Sequence, residues 1–476
     1  MSVRTPIIDV IKAHMNRKPL SFHVPGHKNG HNWHSFLPLF EQLLPYDVTE
    51  LSGLDDLHDA KGAIAESQQL CAEFYGAGET SYLVGGSTSG NLAMIYGVLQ
   101  EGDTVFVERD CHKSIMHALE LCKANVVFLS SRRSSITNHP LGVTYEVLKH
   151  AYEQHPQGKA MILTYPNYWG NVIDYRETFR FAKDHRLLLL VDEAHGAHFV
   201  VGNESLNSPP SALQLGADIV VQSAHKMLPA LTMTGWLHFS NTIDPIIKKR
   251  VKHALQMFQS SSPSYVLLAS LDGARAFLEE QGHHAYRQAL EAQKKLCEWI
   301  DVHPDIELVE EEAHFKDPLK LMVKPRDSGT GVSVLTALKQ VGIDAEMADP
   351  NVTLLILGLS SLHPDTQKRL NHVTIESTPL KEKNAVEAGA KGCLSELIRN
   401  KDNKENVELL SLQDAVGRVA ATDVIPYPPG IPLLIKGEKI SEEHVEQMKQ
   451  FLSTGVTFQG FQPYRGIVVK RKSGEE

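Results

Sequence analysis

The stretch LLLLVDEAHG, residues 187–196, decides how this chain is read. Five apolar residues run into Asp192, Glu193, Ala194 and His195. A short run that is apolar on both faces reads as a buried strand of a parallel sheet. Such sheets bind ligands outside the carboxyl ends of their strands, so the acidic cluster stands where chemistry is done. The letters D-E-A-H are also those of a helicase metal-binding box. They suit equally a strand end that holds an organic cofactor.

Outward from this strand the pattern repeats. TSYLVGG (80–86), TVFVER (104–109), NVVFLS (125–130), KAMILTYP (159–166) and ADIVVQSAHK (217–226) read as strands. AIAESQQLCAEFYGA (63–77), NLAMIYGVLQ (91–100), HKSIMHALELCKA (112–124) and YRETFRFAKDH (175–185) read as helices. Alternating strands and helices predict a mainly parallel sheet flanked by helices. Each polar cluster falls at a strand end. Beyond residue 300, LKLMVKP, GVSVLTALKQVG and VTLLILGL predict a smaller C-terminal α/β domain. The expected division is an N-terminal segment 1–60 that contributes to the active site, a large domain 61–300, a small domain 301–380 and a C-terminal domain 381–476. Residues 380–405, rich in Lys, Glu and Asn, read as a solvated helix or linker, and the tail KRKSGEE as frayed.

Composition narrows the class. The 476 residues exceed one ordinary domain, and 42% hydrophobic with 22% charged is that of a folded globular protein. A net charge of -10 argues against nucleic acid as the main partner. Five scattered cysteines form no C-x-x-C, which points to a reducing compartment, by default the cytoplasm. The start, MSVRTPIIDVIKAHMNRK, has no signal-peptide core, and no apolar run is long enough to span a membrane.

Three decoys fall on missing partners. A helicase needs an upstream G-x-x-x-x-G-K-[ST] loop, which the chain lacks. SAHK, Ser223 to Lys226, fits S-x-x-K, but neither S-D-N nor K-T-G occurs. His195 and His198 in HGAH have no third ligand in view, so no metal is expected.

A different set fits one cofactor. GGSTSGN, residues 85–91, places hydroxyls and amides between a strand and a helix, where an anion binds. Asp192 ends one strand, Lys226 ends another, and His112 begins a helix. Pyridoxal phosphate asks for these parts: an amine to carry it, a carboxylate against its ring nitrogen, a hydroxyl-rich phosphate loop and a flat side chain over the ring.

With those residues in view, the chain resembles the bacterial Orn/Lys/Arg decarboxylases, pyridoxal phosphate enzymes of fold type I (aspartate aminotransferase-like). The strings FHVPGHKNG, DDLHDAKG, GSTSGN, RDCHKS, VDEAHGAH, SAHKMLPALT, SSSPSY and YPPGIP occur in the family's order between about residues 20 and 440. The resemblance implies roles. Lys226 is the cofactor-carrying lysine, Asp192 the pyridinium partner, Ala194 the small residue beneath the ring and His112 the stacking histidine. Ser87, Thr88, Ser89, Ser223 and His225 are phosphate ligands. Ser260 or Ser261 reaches the phosphate of a neighbouring subunit, so a homodimer with shared active sites is implied. The resemblance is to a short form of the family, expected to be without the N-terminal wing domain of the long members, and KGE at Lys436–Glu438 replaces the usual PGE.

The implied activity is α-decarboxylation of lysine, arginine or ornithine. The alternatives are another fold-type-I reaction, transamination or aldol cleavage, and a non-catalytic regulator, which would be expected to lose Lys226 or Asp192. His195 and His198 are expected to be structural or supporting. His23 and His27 serve either the site or a turn. Glu346 meets a cationic substrate or is merely solvated.

Overall fold

A computed structural model of the chain describes residues 3–33, 38–206, 208–375, 398–399, 407–427, 430–453, 455–459 and 465–471. Most of the charged stretch 380–405, Pro428 and Pro429 of YPPGIP, and the tail after Arg471 therefore lie outside the described residues. The chain forms two compact units, 1–100 with 161–165 and 182–286, and 101–160 with 166–181 and 287–476.

In the first unit, strands Glu79–Leu83, Gly235–Phe239, Ile219–Gln222, Leu188–Asp192 and Ala160–Thr164 are neighbours in that order. Leu188–Asp192 runs parallel to Ile219–Gln222, with Leu190 opposite Ile219 and Asp192 opposite Val221. Gly235–Phe239 is antiparallel to both of its neighbours. Leu189, Leu190 and Val191 are completely buried, as the unbroken apolar run requires. Helix Gly86–Val98 opens on the polar GSTSGN, turns largely apolar from Leu92, and buries most of its residues. Helix Pro6–Asn16 is fastened by its first amides. Ile7 N and Ile8 N donate to Asp272 of the long helix Tyr265–Asp301, at 2.9 and 3.3 Å.

In the second unit, Thr104–Glu108 pairs in parallel with Asn125–Leu129. A separate sheet orders Ile306–Val309, Lys320–Pro325, Thr353–Ile356 and Met347–Ala348, antiparallel throughout. A last core gathers Ala415, Val424, Leu434, Val445, Met448 and Ile467.

Candidate active site

Asp192 is the last residue of its strand and is buried. Asn91, reaching from helix Gly86–Val98, donates Nδ2–H to Asp192 Oδ2 at 2.8 Å, and Ala194 N donates to Oδ1 at 3.2 Å. Burial raises this carboxyl above the usual range. The positive charge of Lys226 and the two hydrogen bonds pull it back. The site therefore presents an acid at low dielectric, tuned to gain from a cation placed against it.

Glu193, the next residue, turns to different partners. It accepts hydrogen bonds from Ala212 N and Gln222 Nε2, both at 2.6 Å. Burial pushes its carboxyl up to about 8 against those two donors. Gly196 closes over it: a Cβ there would lie 2.5 Å from Glu193 Cγ, so only glycine fits.

The strand before Lys226 stops at Gln222. Lys226, expected to end that strand, lies four residues beyond its actual end, on the single-turn helix Ala224–Met227, which Pro229 prevents from continuing. That turn brings Lys226 Nζ to 3.0 Å from Nε2 of buried His195. His225 donates Nδ1–H to Thr234 O at 2.8 Å, and its burial lowers its pKa. The hydroxyl of Ser223 is buried and has no hydrogen-bond partner, an orphan that calls for a ligand atom.

GGSTSGN opens the helix that carries Asn91. Gly86 is its first residue, at φ +71°, and donates its amide to Met233 O at 2.8 Å, Met233 itself being at φ +75°. No side chain caps this helix, so its first-turn amides are available to an anion. Ser87 is half-buried and Thr88 exposed beside them, while Ser89 gives its hydroxyl to Gly86 O at 2.8 Å. Ser260 and Ser261 are exposed. His58 Nε2 holds the Ser260 carbonyl at 2.8 Å, tying DDLHDAKG to SSSPSY.

The first unit thus brings together Lys226, Asp192, Ala194, Ser223, His225 and the Ser87–Ser89 turn. His112 belongs to the second unit. There it caps helix Lys113–Cys122, its Nδ1 accepting from Ser114 N at 3.2 Å, and Lys113 N donates to Gly430 O at 3.1 Å. Exposed Glu346, also in that unit, accepts the hydroxyl hydrogen of Tyr168. His198 is a core residue packed on Phe199, with ring centroids 4.7 Å apart. His23 Nδ1 lies 2.6 Å from Val24 O, and His27 Nε2 pairs with Asp47 at 3.2 Å. Asn91 outran the sequence reading: it stands in the quoted GSTSGN string but had no visible partner. His195, expected to be structural or supporting, stands beside the lysine.

These groups fit pyridoxal phosphate. A buried carboxyl suits its ring nitrogen, the Lys226 amine its aldehyde, and the uncapped helix start with the orphan Ser223 hydroxyl its phosphate. Among the described residues, no group of three or more His, Cys, Asp or Glu side chains is arranged for a metal ion. No helix among them is long and apolar enough to cross a membrane.

The comparisons with known proteins agree with this geometry. The family model "Orn/Lys/Arg decarboxylase, major domain" matches residues 5–310, and "Orn/Lys/Arg decarboxylase, C-terminal domain" matches 393–476. "Uncharacterized protein YaaO" of Bacillus subtilis (strain 168) is 39% identical over 471 residues, covering 96% of each chain. "Arginine decarboxylase" of the same organism is 32% identical, covering 96% of this chain and 95% of its own. In three dimensions, lysine decarboxylase A from Pseudomonas aeruginosa superposes with a TM-score of 0.76 at 18% identity, covering 98% of this chain and 81% of that one. A solved structure described as SPT with PLP covers 65% of this chain and 75% of its own, at a TM-score of 0.52 and 19% identity, which extends the likeness of fold to a pyridoxal phosphate protein. With family models spanning both ends and a lysine, a carboxylate and a Gly/Ser helix start gathered in one unit, the chain belongs to the Orn/Lys/Arg decarboxylase family and is an amino-acid decarboxylase of fold type I.

Proposed function

We propose that this chain removes the α-carboxylate of arginine, releasing CO2 and agmatine, with pyridoxal phosphate as its cofactor. The observation that carries the cofactor is Lys226 Nζ at 3.0 Å from His195 Nε2, in the same unit as buried Asp192. Arginine, rather than lysine or ornithine, is supported by 32% identity to an arginine decarboxylase over nearly the whole length of both chains.

When bound, pyridoxal phosphate supplies a sink for the electron pair left behind by CO2. Asp192 holds the proton on the ring nitrogen, and its burial strengthens that attraction. Ala194 would leave room beneath the ring, and stacking over the ring is the role that the family resemblance gives His112. Ser87, Thr88, Ser89, Ser223 and His225 hold the phosphate with the first-turn amides. Lys226 and His195 keep a proton between Nζ and Nε2, where it can be returned to the substrate carbon. The protein is a homodimer in this reading, and Ser260 or Ser261 completes the phosphate site of the partner subunit. Cys71 and Cys297 form no disulfide, which supports a reducing compartment such as the cytoplasm.

The test is an end-point amine assay by mass spectrometry with arginine, lysine and ornithine in parallel. Agmatine should exceed cadaverine and putrescine by at least roughly 10-fold, the least that a pocket matched to one head group gives. Faster release of either diamine overturns the substrate. Borohydride reduction followed by peptide mapping should place the pyridoxyl label on Lys226, and a label on any other lysine overturns the site.

A further inference from the structure

Behind the site, a line of polar side chains crosses the sheet of the first unit. Glu193 Oε2 accepts from Gln222 Nε2 at 2.6 Å. Gln222 Oε1 lies 3.1 Å from His238 Nε2, and His238 Nδ1 lies 2.8 Å from Thr80 Oγ1. The last three residues stand on neighbouring strands, Ile219–Gln222, Gly235–Phe239 and Glu79–Leu83. Glu193, Gln222 and His238 are completely buried, and Thr80 nearly so.

The line has a direction. The Gln222 amide nitrogen is used on Glu193, so its oxygen faces His238, and His238 Nε2 must carry the hydrogen. Nδ1 is then the acceptor for the Thr80 hydroxyl. Burial holds the His238 pKa down at about 3, so the ring stays neutral.

A core-filling histidine needs none of this. Tyr75 packs on the His238 ring at 4.6 Å, and a phenyl ring could serve there. The polar line instead ends on the residue that follows Asp192. Glu193 is already pinned by its amide to Val221 O at 2.8 Å and by its carboxyl to Ala212 N at 2.6 Å. Gln222 supplies the third point. The titratable groups that face Glu193 from the packed elements are Tyr75 and, through Gln222, His238, and burial keeps both neutral.

We propose that Gln222 and His238 are positioning residues: anchored on Thr80, they hold Glu193, and with it the turn that presents Asp192 and His195, in the working orientation. This rests on the reading of Asp192 as partner of the cofactor ring.

The test compares two amides at one position in the holoenzyme. His238→Gln keeps a nitrogen where Nε2 was and preserves the link to Gln222. His238→Asn reaches only the Nδ1 position and loses it. The visible absorbance of the bound pyridoxal phosphate is titrated from pH 6 to 9, alongside steady-state kinetics. For His238→Asn, kcat should fall about 10-fold with KM within about 2-fold, the mark of an interaction made only at the transition state. The absorbance midpoint should move by more than about 0.5 pH. His238→Gln should stay within about 3-fold of the parent and keep its midpoint. Indistinguishable titrations for the two amides overturn the proposal. Should neither variant fold, Thr80→Val, which removes only the terminal hydroxyl, carries the test: an unchanged midpoint overturns it and a shifted one supports it. A parent protein with no cofactor absorbance would sink the Asp192 reading itself, whereas a normal parent with inert variants sinks only this inference.

Discussion

Asn91 donates to Asp192 at 2.8 Å, and both side chains are buried where no water can replace the bond. A hydrogen bond to a charged group is worth about 1.5–3 kcal/mol, and a buried carboxylate that loses a donor becomes harder to keep ionised. Asn91→Ala should therefore weaken pyridoxal phosphate binding and lower kcat, each by roughly 10- to 100-fold. Cofactor affinity read from absorbance, with kinetics at saturating cofactor, checks it. Unchanged values would mean that Asp192 is held by other means.

Glu193 predicts a slope in stability. Its folded pKa, about 8, lies above that of an unfolded glutamate. Its favourable contribution is therefore complete below the ordinary carboxylic range and is lost as pH rises through about 8. The loss is on the order of 4–5 kcal/mol. Urea unfolding of the cofactor-free protein from pH 4 to 9 should show this decline, and Glu193→Gln should flatten it. Parallel curves for the two proteins would contradict the assignment.

Asp272 fastens the N-terminal helix. Besides the amides of Ile7 and Ile8, it accepts from Ser67 Oγ at 2.7 Å and from Arg275 Nη2 at 3.0 Å, with Asp272 and Arg275 both fully buried. Asp272→Ala leaves a buried guanidinium without this partner, at a cost of about 3–5 kcal/mol. The urea midpoint should fall accordingly, and limited proteolysis should release the first twenty or so residues early. A cost below about 1 kcal/mol would place the anchoring elsewhere.

The shared site can be tested by mixing. Lys226→Ala and the double change of Ser260 and Ser261 to Leu should each be inactive. In a mixed dimer, one site would carry both defects and the other neither. Random pairing should return about a quarter of the parent activity. Confirmed exchange of differently tagged chains without activity would confine those serines to their own chain.

Much of this site could be read before any coordinates. Leu187–Val191 declared itself because a strand buried on both faces has no polar residue to interrupt it. The Gly/Ser turn was visible because anion-binding helix starts favour small hydroxyl residues. Lys226 was displaced by one turn because a four-residue helix is too short to show a period. The partners of Asn91 and His195 stand 101 and 31 residues away and are brought near by strand order alone. Of the second unit's separate sheet, Lys320–Pro325 and Thr353–Ile356 were expected from their apolar runs and Ile306–Val309 and Met347–Ala348 were not; such runs carry no sign of direction, so the antiparallel pairing was hidden.

Asp192 and Glu193 stand side by side and serve different partners, one bonded to Asn91 and the other to Ala212 and Gln222. Side chains alternate along a strand, so a single-residue deletion upstream would put Glu193 in the place of Asp192 and Ala194 in the place of Glu193. The cofactor side would receive an acid one methylene longer, and the interior network would lose its acid. At this point, then, the chain can accept changes of letter more readily than changes of frame. Strand length, rather than residue type alone, is what selection has to guard.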